Sequence, residues 1–380
     1  MNNEIIIIGG GASALMLASL LPHHTATLIE ANTKVGAKIL VSGGGKCNIT
    51  NEVMDSSFYA GDREFIQKSL KKFSQKSLLR WTEQRGLYPV MRKGTQYFCP
   101  SSAKEFVDIL IQESKKQTIL LNEKVLCVRY EKDHFIVKTD KRELRAKAVV
   151  VASGGLSYPV LGASSVGYEI ATTFGHTIIK TAPALVGFTV QKEQFFFKEL
   201  SGASAEVEIT VGEHKCKGSL LFAHKGISGP AVLDASLYWE KGSITINFLP
   251  GFSWKGIISS KKQLSSLLPL PKRVTKAFLL QFGIEDKTAS TLCKEEIETL
   301  KMLSAYTFSP AGTFGYTKAE VTKGGISTDE VDPDTMMSRK KEGLYFIGEV
   351  LDVTGRLGGY NFQWAFSSAY TCARALTGKK

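Results

Sequence analysis

The sequence is poor in the residues that build metal centres and disulfide scaffolds. Its six cysteines (47, 99, 127, 216, 293 and 372) form no C-x-x-C pair and repeat no spacing. That speaks against structural zinc and a disulfide framework and fits a reducing cytoplasm. The Asn-Ile-Thr at 48–50 matches a glycosylation signal, but it carries no weight in a chain expected to stay in the cytoplasm. Nothing approaches the roughly 20 apolar residues of a membrane span. The charge-free run IIIIGGGASALMLASLLPHHTATLI at 5–29 is broken by three glycines and a Pro-His-His, and no Lys or Arg precedes its apolar part. Neither a span nor a signal peptide is expected there. There is no internal repeat and no low-complexity linker. Acid is in deficit as well: 36 Asp and Glu face 48 Lys and Arg, leaving +12. The excess points to an anionic partner, such as nucleic acid, a phosphorylated substrate or a membrane surface, or simply to a solvated basic face.

What is present is ordinary globular chain. With 380 residues, 43% hydrophobic and 22% charged, there is room for two or three domains. Residues 4–8 are a short β-favouring apolar run, as expected of a strand buried on both faces. Residues 12–21 read as a helix and 25–30 as a second strand, which begins a doubly wound α/β unit. A basic helix is predicted over 63–85, with Ser74 as an internal cap and Gly86 as its stop. It holds Arg63, Lys68, Lys71, Lys72, Lys76, Arg80 and Arg85 against Glu64 and Glu83. Another helix is expected over 102–116, a hairpin over 124–140, and a buried strand over 146–155 that runs into a glycine turn. From about 185 the chain changes to short β segments with turn residues between them. Residues 255–307 read as helical, and 261–284 contain five Lys or Arg and no acid. Glycines return from 310, and 343–352 is again a buried strand ending in a polar turn. The expected architecture is a nucleotide-binding α/β domain split by an insertion with a β part and a helical part.

Four segments carry chemistry. The first is Gly9-x-Gly11-x-x-Ala14 between a strand and a helix, with Glu30 21 residues beyond the first glycine. Gly9 permits the tight turn, Gly11 lets a pyrophosphate approach the backbone, and Ala14 lets helix and strand pack closely. The helix N-terminus offers N–H groups to phosphate, and Glu30 offers two acceptors to ribose hydroxyls. An acid repels a 2′-phosphate, so this site suits FAD or NAD better than NADP. The plain alternative is a glycine turn at a sheet edge. The second segment, GAKILVSGGGKCNITN at 36–51, superficially resembles a nucleoside-triphosphate loop. Leu40 stands where that loop needs glycine and Cys47 where it needs Ser or Thr, so it is rejected as one. Lys38, Lys46 and the glycines still suit a second contact with a phosphorylated or planar ligand. The third, at 149–176, ends a buried strand in Gly154-Gly155. The fourth, at 344–376, delivers Gly348-Glu349, and then Gly358-Gly359-Tyr360-Asn361 opens a last helix. Such a helix can aim its N–H groups at the electron-rich edge of a reduced flavin.

Together these segments resemble the bacterial YhiN-like flavoproteins, a family of FAD-dependent oxidoreductases. ILVSGGGKCNITN, ASGGLSYPVLGASSVGY, LFAHKGISGPAVL, AEVTKGGI and GEVLDVTGRLGGYNFQWAF are similar to its signatures and run in its order from residue 5 to about 376. GGYNFQWA and GLSYPVLGA look like the branch that includes a ribosomal RNA dihydrouridine synthase. The chain departs from the family pattern at Lys46 (commonly Arg), Arg356 (Trp in the close branch) and Glu349 (Asp in many flavoproteins). The resemblance implies an FAD-binding Rossmann-like domain over 1–185 and 325–380. It also implies a β-barrel-like domain over 186–250 and 308–324, and a small helical domain over 251–307. It assigns Gly9, Gly11, Ala12, Ser13, Glu30 and Lys38 to the ADP half, with Val125 and Ser153 as further cofactor contacts. Gly44, Gly45, Cys47 and Asn48 lie nearer the ring, and Gly154, Gly348, Glu349, Gly359, Asn361 and Phe362 complete the pocket.

The expected reaction is reduction of a polarised C=C bond, most specifically of uridine to dihydrouridine in ribosomal RNA. Hydride adds to C6 of uracil and a proton must reach C5. Cys47, Tyr158, Tyr360 and His224 are the candidate acids, and each also has a purely structural reading. No second Gly-x-Gly-x-x-Gly unit is present for a nicotinamide nucleotide. NAD(P)H is therefore expected at the flavin face, in the place the substrate later takes. The basic helices at 63–85 and 261–276 are expected to track RNA phosphates, or else to be solvated faces. A flavin reductase or oxidase of a small metabolite is the alternative. A third reading is a flavin-binding or ribosome-associated protein without activity.

Overall fold

The structure is a computed structural model that describes residues 2–378. The chain forms two compact units, one from its start to Pro183 and from Glu320 onward, the other from Ala184 to Ala319.

Apolar runs without alternation build the centre of the first unit. Ile6 and Ile7 of the strand Asn2–Ile8 are fully buried, as are Val149, Val150 and Val151 of the strand Glu143–Val151. A strand covered on both faces needs this composition. Thr118–Leu120, Ala26–Ile29, Asn2–Ile8 and Glu143–Val151 lie side by side in that order, all parallel. The far edge of Glu143–Val151 is shared. Its beginning pairs antiparallel with His134–Thr139, and its last three residues pair parallel with Leu344–Phe346. The chain thus leaves this sheet and returns to it after the second unit. Helices Ala12–Leu20, Ala103–Ser114 and Tyr360–Leu376 pack together against the sheet, with Leu15, Phe106, Trp364 and Phe366 in one core.

The helix expected over 63–85 is two helices, Arg63–Lys72 and Gln75–Glu83. Ser74 caps the second through the Ser77 N–H, and Gly86 follows it at φ +78°. The break is held from outside. Phe73 stacks on Tyr370 at 4.8 Å, and its carbonyl accepts from Gln363 Nε2 (2.9 Å) and Ser367 Oγ (2.7 Å). Part of the basic face is also spoken for. Lys68 pairs with Glu64, Lys72 with Asp334, and Arg85 with Glu113 while lying over Trp81. Lys71, Lys76 and Arg80 stay exposed.

The second unit is an antiparallel sheet of seven strands around aromatic side chains. Its order is Tyr306–Phe308, Ile244–Asn247, Ser204–Val211, His214–Ala223, Gly226–Ser228, Phe188–Val190, Pro310–Thr313. The two outermost strands are separated in sequence by Ser309 alone, so the sheet must curl until its edges approach. Phe188, Phe197, Phe222, Phe248 and Phe308 fill its interior, joined by Phe278 from the helix Lys272–Gln281. Ile257, Leu264, Leu279, Ile284, Ala289 and Leu300 form a separate small cluster. Among the described residues no helix is long and apolar enough to cross a membrane.

Candidate cofactor and reaction site

Four parallel strands of the first unit end level with one another. Ile8 stands opposite both Ile29 and Val151, and Val151 opposite Phe346. The residues just past these ends are Gly9–Gly11, Glu30, Ser153–Gly155 and Gly348. The carboxyl ends of parallel strands are where an open α/β sheet receives its ligand. Three glycine-bearing segments and an acid, far apart in sequence, therefore share one rim.

Each turn at this rim has a physical cause. Gly9 has φ +108°, and a Cβ there would lie 2.6 Å from the Ala152 carbonyl oxygen, so only glycine lets the two strand ends close. Gly11 caps Ala12–Leu20 with no side chain bonding back, and no acid stands in the first turn. The helix start is thereby left to an anionic ligand. Glu30 is fixed by the N–H groups of Gly10 (2.6 Å) and Asn32 (2.8 Å), one on each oxygen. A carboxylate has about four acceptor positions, which leaves two for ribose hydroxyls. Ser13 is buried beside Gly348. Val125 opens the strand Val125–Glu131 two residues past Glu123, whose N–H bonds the Glu30 carbonyl.

Two observations test the fit to FAD. A Cβ built on Gly11, Gly44, Gly45 or Gly154 meets nothing within 4 Å, so these backbones border open space. Ser153 Oγ is buried with no hydrogen-bond partner among the described residues. Unfilled space beside glycine backbone and an orphaned hydroxyl on the same rim are what a bound dinucleotide satisfies. The residues present fit the cofactor.

Lys38 and Glu349 form an ion pair at 2.6 Å, and Tyr158 lies with its ring centre 5.9 Å from the Lys38 ammonium. The other Glu349 oxygen accepts from the Thr322 N–H at 2.9 Å. Thr322 Oγ1 in turn takes the N–H groups of Leu156 (2.8 Å) and Ser157 (3.1 Å). The fully buried Thr322 thus fastens the third glycine segment to the fourth, a role the sequence reading did not assign. Its signal in the sequence is the AEVTKGGI stretch, which singles out no one residue.

A three-stranded sheet borders the same rim: Asn48–Asn51, Gln96–Phe98 and Val90–Arg92. The Asn48 side-chain amide donates to Gln96 Oε1 at 2.7 Å. Asn51 donates to the Gly358 carbonyl, and Thr50 Oγ1 to Gln363. Gly359, at φ +92°, would bring a Cβ to 2.7 Å from the Thr50 backbone, so the last helix starts hard against this sheet. Asn361 spends both amide atoms on Gly355, each at 2.8 Å. Phe362 stacks on Phe366. Both therefore brace the start of the last helix. Gln96 and Gln363 also escaped the sequence reading, because an isolated glutamine has no spacing to betray it.

The four candidate acids stand in different places. Cys47 is fully buried with φ +44°, and burial and the Cys99 thiol beside it push its thiol well up. Tyr360 is buried among Phe58 and Tyr59, and its carbonyl accepts from the Tyr59 hydroxyl. Tyr158 is half-buried, and burial raises its phenol above the usual value, so it is protonated at neutral pH. His224 is exposed in a turn of the second unit.

Known proteins match this chain along nearly its whole length. Residues 3–375 match the family described as HI0933-like protein Rossmann domain. The ribosomal RNA dihydrouridine synthase of Haemophilus influenzae is 38% identical, over 99% of this chain and 98% of that protein. The 3-dehydro-bile acid delta(4,6)-reductase of Clostridium scindens is 31% identical, over 98% of each. Among solved structures, a quinol-fumarate reductase with menaquinol molecules superposes with a TM-score of 0.53 at 14% identity. It covers 100% of this chain and 71% of its own. The fold is the FAD-dependent Rossmann-like α/β fold of such flavoproteins.

Proposed function

Because the chain belongs to the HI0933-like family, we propose that it is an FAD-dependent oxidoreductase that uses NAD(P)H to reduce uridine to dihydrouridine in ribosomal RNA. The observation that carries this reading is the level rim of four parallel strands with a glycine turn or Glu30 past each end. A full-length likeness to a protein named for that reaction supports the substrate. FAD bound along the rim supplies the hydride-transfer chemistry.

The chain's own residues do the rest. Gly9, Gly11, Ala12, Ser13 and Glu30 hold the ADP half, with Val125 and Ser153 beside it. Lys38, paired with Glu349, serves the ADP half with them. Gly44, Gly45, Cys47, Asn48, Gly154, Gly348 and Gly359 border the ring. Tyr158 is our choice for the proton that C5 of uracil must receive. It is half-buried beside Lys38, whereas Cys47 and Tyr360 are enclosed and His224 lies exposed in a turn. Lys71, Lys76 and Arg80, with Lys272 and Lys276 on the second unit, meet RNA phosphates. We read the second unit as a β-barrel-like domain with a helical one, and the reaction as cytoplasmic.

The bile-acid reductase among the relatives supports the other reading, a small-molecule reductase sharing the same flavin site. Incubating the flavin-loaded protein and NAD(P)H with ribosomal RNA lacking dihydrouridine separates the two. The expected result is a nucleoside heavier by two hydrogens. Rapid flavin reduction by NAD(P)H with no change in the RNA contradicts the RNA reading.

A further inference from the structure

The rim does not end at the glycine turns. Gln96 and Asn51, which face Gly358, sit on the small sheet whose outer strand is Val90–Arg92. That strand pairs only with Gln96–Phe98, so its other edge is unpaired among the described residues. Unpaired edges of this kind invite a partner or must be guarded. Its apolar side chains are open to solvent, Val90 at 36% and Met91 at 45%, and Tyr88, two residues before the strand, is 66% exposed. An exposed aromatic beside an exposed apolar strand, on a protein that buries most of its 21 phenylalanines, needs a reason.

Cations surround this face. The segments 46–53 and 88–98 contain Lys46, Arg92 and Lys93 against one acid, Glu52. Lys93 lies over the Phe98 ring at 5.8 Å, and a Cβ on Gly43 would touch the same ring at 3.2 Å. The hairpin tip is therefore one ring away from the glycine loop 42–45. The Lys46 carbonyl accepts from the Cys99 N–H, which keeps Lys46 next to the middle strand. Gln75 bonds the Glu52 carbonyl while Glu52 N–H bonds that of Thr95, so the helix carrying Lys76 abuts the hairpin tip.

We propose that the hairpin 88–98 is the surface that receives single-stranded RNA flanking the reacting nucleotide, with Tyr88 stacking a base and Lys46, Lys93 and Lys76 meeting phosphates. This rests on the reading of the protein as an RNA-modifying enzyme. A stacking ring interleaved with cations is the chemistry that holds unpaired nucleic acid without reading its sequence. An apolar protein partner would not need the three lysines, and a small metabolite would not need a surface that continues outward from the rim.

The test is binding of a fluorescent single-stranded RNA to the flavin-loaded protein, measured over a salt series. Tyr88→Ala should weaken binding about tenfold, the loss of one base stack, and Tyr88→Phe should restore most of it. Lys76→Ala with Lys93→Ala should flatten the salt dependence by about two phosphates. Flavin reduction by NAD(P)H should be unchanged in all three. Equal RNA affinity of Tyr88→Ala and the unaltered protein overturns the surface and leaves the enzymatic reading standing. Self-association that disappears in Tyr88→Ala with no change in RNA affinity overturns it too, in favour of a contact between copies. No RNA binding by the unaltered protein at low salt overturns the RNA-modifying reading and the surface with it.

Discussion

Gly9 and Gly11 stand two residues apart and answer to different constraints. Gly9 is required by the protein itself, because a Cβ at φ +108° would press on the Ala152 carbonyl at 2.6 Å. Gly9→Ala should cost at least about 2 kcal/mol in urea unfolding of the flavin-free protein. Gly11 has φ −83° and open space where its Cβ would stand. Gly11→Val should therefore keep stability within about 1 kcal/mol yet release the flavin, read as loss of its visible absorbance. Equal stability losses in both variants would contradict the assignment of Gly11 to a ligand. For Tyr158, replacement by Phe should lower uridine reduction by about 10²–10⁴ while NAD(P)H still reduces the flavin at its normal rate. At this scale the glycine motif and Glu30 were legible, since their spacing follows from the geometry of a strand, a turn and a helix. Thr322, Gln96 and Gln363 were not, because their importance comes only from what the folded chain brings beside them.

Among the elements, the last helix does the most to assemble the rim. Trp364 is almost fully buried, and its Nε1 donates to the carbonyl of Gly348 at 3.1 Å. Ser368 Oγ receives the Gly348 N–H. The helix thus grips the fourth glycine segment by both backbone groups. Trp364→Ala should cost about 3–5 kcal/mol in unfolding, from lost volume and an unpaired carbonyl. The division of 63–85 into two helices was half legible. Ser74 advertised a cap, but the pull on Phe73 comes from Gln363 and Ser367, nearly 300 positions away in sequence. The charge count over those helices was legible, and their pairing with Asp334 and Glu113 was not.

A second tie, between the end of the helix Val166–Thr173 and the segment 327–340, gives the first unit a pH dependence. Burial works against the charge of Glu330, but Lys340 at 2.7 Å and the Thr177 N–H and hydroxyl hold its carboxyl down to about 2. Buried His176 lies 3.3 Å away, and burial keeps its imidazole below the usual value. An unfolded glutamate titrates near 4.3, so Glu330 stabilises the fold fully above about pH 5. That contribution fades as the pH falls towards about 2. Glu330→Gln should be less stable than the unaltered protein at pH 7, with the gap closing at pH 2–3. A gap that stays constant between these conditions would contradict the role given to its charge.

At the scale of the whole molecule, a chain that leaves a parallel sheet after Val151 and rejoins it at Leu344 was legible from the return of buried strand and glycine late in the sequence. The curl of the second unit was less so, because it depends on Ser309 alone joining the two edge strands. The substrate is the property least written in any one element, since a relative named for ribosomal RNA and one named for a bile acid both match this chain along nearly its whole length. The measurement that bears on it most directly is nucleoside mass spectrometry of ribosomal RNA. The strain should be one that normally carries dihydrouridine, compared with and without this gene and after its return. The account predicts that dihydrouridine disappears with the gene and comes back with the intact chain but not with Gly11→Val. An unchanged dihydrouridine level in the deletion strain would contradict it.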